Sequence, residues 1–152
     1  MPFVELYAPK GALDSERGRA AKRSLVAEVM KAEGAPDTPA ARAISWLVVT
    51  EPEDWLVGGD PAGAEPPRYV VRVSVPAGSL DDAKRADMIE RVTRVLAGVE
   101  ENTDAERLYR EPAAWVHIHE VPEGNWGAAG RPVGLRDIIG YVATGELAPA
   151  PA

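Results

Sequence analysis

The sequence predicts an α/β (α+β) fold: two fused β-α-β units whose four strands form one mainly parallel sheet, with two helices on one face. Three observations carry this prediction. The frame Pro-x-Gly-x-Leu-Asp occurs at Pro9, Gly11, Leu13 and Asp14, and again, at one constant offset, at Pro76, Gly78, Leu80 and Asp81. An apolar segment running from Trp46 to Glu51 recurs, at a slightly larger offset, from Trp115 to Glu120. Trp55 before Gly58 and Gly59 is echoed, at an offset larger again, by Trp126 before Gly127 and Gly130. Repeats in the same order, with an offset that grows only across loops, are the mark of a duplicated unit.

Each copy reads as strand, helix, strand. The first strand spans 3–8 and stops at a Pro-x-Gly turn, after which Asp14 offers N-cap chemistry. Ala21, Leu25, Val29 and Met30 then mark the inner side of a helix, and a second strand follows at 44–50. The first unit is placed at 1–59 and a linker rich in proline and glycine at 60–68. The second unit, 69–145, opens with a strand over 69–75 and a cap at Asp81. Its helix carries Ile89, Val92, Leu96 and Val99 at helical spacing, which predicts one buried stripe. A short helical turn is expected at 103–109, a strand at 115–119 and a final short helix at 135–142. Residues 146–152, mostly alanine and proline, read as a disordered tail. A crossover between strands of one sheet is right-handed and gives parallel pairs. With helices on one face only, the other face needs cover, which oligomerisation supplies.

Composition narrows the function. The chain has 152 residues and a formal charge of -7, with no stripe of basic residues, so nucleic acid is not an expected partner. It lacks cysteine, which removes disulfides, thiol nucleophiles and thiolate zinc sites and fits a reducing compartment. No basic segment followed by a long apolar run opens the chain, and nowhere do 18 apolar residues run together. A cytoplasmic protein with no signal peptide and no membrane span is the expectation. The glycine clusters lack the following Lys-Ser or Lys-Thr of a phosphate loop. His117-x-His119 has no evident third ligand, so no metal and no cofactor is expected.

A strand–helix–strand unit that begins Met1-Pro2 and closes with an aromatic before a glycine cluster, here Gly124 to Gly130, resembles the 4-oxalocrotonate tautomerase family. Two fused units with one N-terminal proline look like the longer members, among them cis-3-chloroacrylic acid dehalogenase and malonate semialdehyde decarboxylase. The run Trp115-Val116-His117-Ile118-His119-Glu120-Val121-Pro122 is similar to the dehalogenase group's Trp-Val-Tyr-x-x-Glu-x-Pro. The resemblance implies a homotrimer imitating a hexamer of single units, and a small carboxylic or oxo acid as substrate. It also implies that Pro2, freed by removal of Met1, is the catalytic group.

The chemistry of that group follows from its environment. An α-amino group has a pKa of roughly 7.7–8, and burial among apolar side chains disfavours its charged form. A neutral prolyl amine can take a proton from carbon beside a carbonyl and return it elsewhere, as a tautomerase does. Phe3, Trp46, Trp115 and Trp126 are the apolar material expected around it. Kept protonated, the same group serves hydration, decarboxylation or dehalogenation; a third reading is a duplicated relative without catalysis. The family's arginines are missing, with Ala12 and Ser79 after the two turns and Trp46 and Trp115 on the second strands. His117 stands where the dehalogenase group has its active-site tyrosine and is the second catalytic candidate, or else an interface histidine. Arg72 either binds a substrate carboxylate or pairs with Glu5; Trp115, Trp126 and Arg131 complete the candidate substrate contacts.

Overall fold

The computed structural model describes residues 1–62, 66–100 and 104–149. Strand β1, Phe3–Tyr7, alternates strictly: Val4 and Leu6 are buried, while Phe3, Glu5 and Tyr7 lie on the other face. The turn that follows is made in the same way in both copies. Ala12 N–H donates to the Pro9 carbonyl at 3.0 Å and Ser79 N–H to the Pro76 carbonyl at 3.2 Å. Gly11 and Gly78 take φ of 80° and 83°, a left-handed conformation that glycine adopts without steric cost.

Helix α1, Glu16–Glu33, is capped by Ser15, whose Oγ accepts from Gly18 N–H, rather than by the expected Asp14. The second copy does use its aspartate: Asp81 Oδ1 accepts from Lys84 N–H at 2.8 Å and opens α3, Asp82–Ala97. Between them lies an element the sequence reading missed. Thr38 caps α2, Pro39–Ala43, accepting from Ala41 N–H, with proline in the first helical position where its missing N–H is harmless. Ile44 closes α2, so β2 begins later than expected, at Trp46–Thr50.

Strands β3, Leu56–Val57, and β4, Asp60–Pro61, form a small hairpin that takes up the first two positions of the expected linker. Residues 63–65 of that linker lie outside the described residues. Strand β5, Tyr69–Pro76, leads to α3, which ends in a 3₁₀ turn, Gly98–Glu100. The short helix expected at 103–109 is α4, Arg107–Arg110; residue 103 lies outside the described residues. Strand β6, Ala114–Val121, the hairpin of β7, Gly127–Ala128, with β8, Arg131–Pro132, and helix α5, Leu135–Thr144, complete the chain. Of the tail expected at 146–152, residues 150–152 lie outside the described residues.

The four long strands make one sheet in the order β2-β1-β5-β6. Each unit contributes a parallel pair, β1 with β2 and β5 with β6, and the units join through antiparallel β1 and β5. Phe3 pairs with Ser74 at that joint, which puts the start of β1 beside the end of β5 and the turn after it. Helices α1 and α3 pack on one face, where Leu25, Val29, Met88, Val92 and Leu96 cover Val4, Leu6, Val71, Val73 and Val75. The stripe on α3 holds at Val92 and Leu96 but differs at its start, where Met88 is fully buried and Ile89 is 44% exposed. Arg91 ties the two helices together through Glu28 at 2.7 Å. The opposite face of the sheet is open, with Trp46 63% and Trp115 57% exposed.

Candidate functional site

Pro2 is buried at the head of β1, and its carbonyl accepts from Trp46 N–H at 3.2 Å. It continues the inward positions of Val4 and Leu6, so it belongs to the helix-covered side of the sheet. Met1, just before it, lines a cleft of about 470 Å³ at the seam between the two units. Met1 nitrogen lies 2.7 and 2.6 Å from the two carboxylate oxygens of Glu33, the last residue of α1. That carboxylate is buried, and a buried charge needs such a partner. Gly34 ends α1 at φ 83° and turns the chain under the cleft.

The second unit supplies the other walls. Ser79 follows the turn after β5, and its Oγ donates back to the Pro76 carbonyl at 2.8 Å. Lys84, in the first turn of α3, reaches across the seam: its Nζ donates to the carbonyls of Glu33 at 3.2 Å and Ser79 at 3.5 Å. Helix α5 closes the cleft with Leu135, Ile138, Ile139 and Val142. Its position is fixed at both ends. Asp137 Oδ2 accepts from Gly134 N–H and Glu123 Oε1 from Leu135 N–H, satisfying two free donors of the helix start. Thr38 Oγ1 donates to the Val142 carbonyl at 3.4 Å and ties the far end to α2. A side chain at Gly134 would displace the Glu123 carboxylate, since its Cβ would stand 2.4 Å from Glu123 Oε2.

The candidates named from the sequence do not converge on this cleft. Arg72, Trp115 and His117 sit together on the open face. Arg72 Nη1 lies 3.9 Å from Glu5 Oε2, and Tyr7 donates to Glu5 Oε1 at 2.9 Å. His117 is opposite Arg72 in the register, and its ring meets Trp115 edge-on at 6.4 Å. Trp126 precedes the β7–β8 hairpin, where its carbonyl accepts from Val133 N–H. Arg131 donates to the carbonyls of Pro132 and Ala148 and lies 3.9 Å from Asp137. Strand alternation puts Phe3, Trp46 and Trp115 on the open face, and the apolar wall of this cleft is α5. Glu33 and Lys84 were not named in advance, and α5 was expected as a helix but not as a wall of the site. One signal for Glu33 was present: Glu100 follows it at the same offset as Pro76 follows Pro9, inside the same repeat.

Among the described residues no group of three or more His, Asp or Glu side chains is arranged to hold a metal ion. No helix among them is long and apolar enough to cross a membrane. A second cleft of about 410 Å³ lies between α1 and α2, but its Arg42 is committed to Asp37, whose carboxyl that guanidinium holds below the usual range.

The family model for tautomerase enzymes matches residues 70–136. That match covers a little under half of the chain and makes this stretch similar to the family. No curated protein matches the sequence. Among solved structures, a fused 4-OT in an asymmetric trimer is 21% identical, with a TM-score of 0.65 over 86% of this chain and 94% of that one. A member of the cis-3-chloroacrylic acid dehalogenase family is 19% identical, with a TM-score of 0.68 over 93% and 91%. Macrophage migration inhibitory factor from Toxoplasma gondii is 12% identical, with a TM-score of 0.60 over 86% and 99%. Over most of its length the chain therefore shares the fold of these structures.

Proposed function

We propose that this chain is a tautomerase whose general base is the secondary amine of Pro2 after Met1 is removed. The observation that carries the reading is the seating of the chain start: buried, at the edge of a cleft that holds one carboxylate, one ammonium and an apolar wall. Removal of Met1 leaves the prolyl nitrogen bordering the cleft. The neutral amine takes a proton from the carbon beside a carbonyl; the electron pair of that C–H bond forms the C=C bond of an enolate as the C=O π pair moves onto oxygen. The protonated amine then returns the proton to the other end of the enolate, and the amine is neutral again. Burial and the Lys84 ammonium favour the neutral amine.

One observation favours a second reading. A carboxylate beside an amine favours the charged form, and Glu33 holds the chain start at 2.6 Å. If Glu33 prevails over Lys84, Pro2 is an acid near neutrality, suited to hydration, decarboxylation or dehalogenation of a small unsaturated acid.

The open face of the sheet, with Trp46 and Trp115 exposed, is read as the contact between three copies, a reading supported by the trimeric state of a similar fused 4-OT. His117, Arg72 and Trp115 then serve that interface. A chain without cysteine suits the reducing cytoplasm.

The test is ketonisation of phenylenolpyruvate by protein whose loss of Met1 is checked by mass spectrometry. Replacing Pro2→Ala is expected to lower kcat/KM by about 100-fold or more, the usual worth of a positioned acid–base group. Equal rates for the two proteins would leave a non-catalytic scaffold. An amine titrating well above neutrality would move the assignment to the second reading.

A further inference from the structure

Resting on the reading of Pro2 as the proton-transfer group, we infer that the cleft selects a monoanionic acid with an apolar tail. Its single carboxylate is held by Lys84 and its tail lies against α5. Among the described residues lining the cleft, Lys84 is the one cationic side chain and Glu33 the one carboxylate. The ammonium is fixed rather than trailing in solvent. Its two contacts, to the Glu33 and Ser79 carbonyls, come one from each unit. An ammonium has three donors, so one remains for a ligand oxygen. Gly34 backs the side chain closely; a Cβ there would stand 3.5 Å from Nζ.

The far wall has the opposite character. Ile138, Ile139 and Val142 present branched apolar surface, and Ile139 is 59% exposed. A ligand tail laid against Ile139 removes apolar surface from water, which favours association. A second carboxylate on the ligand would meet these isoleucines or the Glu33 carboxylate, and neither replaces the water it loses. The selectivity is therefore a difference between one charge satisfied and one left over.

Two inert probes test this on the mature full-length protein: cinnamate, an apolar monocarboxylate, and fumarate, a small dicarboxylate. Binding is read by NMR shifts of the isoleucine methyls. Cinnamate is expected to bind about tenfold or more tightly than fumarate, the scale of one charge-assisted hydrogen bond. Lys84→Met should weaken cinnamate about tenfold and Lys84→Arg should keep its affinity, with circular dichroism checking that both fold. Ile139→Lys, at an exposed position, should weaken cinnamate and strengthen fumarate. Equal affinity for the two probes, no binding of either, or an unchanged cinnamate affinity in Lys84→Met would overturn the inference. The two readings separate cleanly. Binding that follows this pattern while Pro2→Ala keeps its full ketonisation rate removes the catalytic reading alone. Loss of activity in Pro2→Ala with an unchanged KM in Lys84→Met removes the substrate class alone.

Discussion

The two copies of the repeat solve the same electrostatic problem with different groups. In each, a buried glutamate at the end of the long helix faces the start of the first strand: Glu33 in one, Glu100 in the other. Glu33 is matched by the amino group of the chain start. Glu100 is matched by Arg107 of α4, which donates through Nε at 2.8 Å and through Nη2, and whose Nη2 also donates to the Pro67 carbonyl. Tyr69 follows Pro2 at the offset that separates the two glutamates, and occupies its place in the second copy. One copy thus meets its buried carboxylate with a terminal amino group, and the other with a guanidinium that stays charged.

Arg107→Met breaks the comparison most severely. It leaves the buried Glu100 carboxylate without its guanidinium, with an expected loss of about 3–5 kcal/mol in urea unfolding at neutral pH. Glu33→Gln in the mature protein sharpens it. Loss of the carboxylate should make the Pro2 amine titrate at lower pH in isotope-labelled protein, and ketonisation should extend correspondingly further toward acid pH. An unchanged titration would mean that Glu33 serves the fold and not the amine.

The smallest effect belongs to Tyr69, whose hydroxyl is buried without a hydrogen bond of good geometry. Burial first, and the Glu100 carboxylate second, hold its pKa above the ordinary 10.0. A phenol whose folded pKa is raised adds stability that is complete below the unfolded value and fades as pH climbs past it. The wild-type protein should therefore lose stability above about pH 10 more steeply than Tyr69→Phe. At pH 7 the two should differ by no more than about 1 kcal/mol, because removing an unsatisfied hydroxyl costs little.

Much of the fold was legible because it is written locally. Alternation marked β1 and β5, the Pro-x-Gly frames marked both turns, and Leu25, Val29, Val92 and Leu96 marked the inner faces of the helices. The error at Ile89 arose because Met88 competes for the same stripe, and a flexible thioether fills an inner gap as readily as a branched chain. Helix α2 was signalled by Thr38-Pro39 but is too short to show a period. The cleft was harder. Pro2 was named from the pattern of the chain start, whereas Lys84 and Ile139 come beside that start only through the antiparallel meeting of β1 and β5. No local pattern states that orientation. Arg131 illustrates the converse, since a prominent basic residue in a glycine-rich loop is taken up by backbone carbonyls close to it.

Helix α5 belongs to the later half of the chain yet leans on α2 of the earlier half through Thr38. Together with Lys84 spanning the seam, this makes the cleft joint property of both halves. A chain cut at the linker would yield two fragments, each carrying part of a wall and neither an enclosure. Swapping one copy for a second version of the other would lose either the terminal amine or its roof. Each half is thus part of the other's environment, so a change in either is felt in the cleft they share.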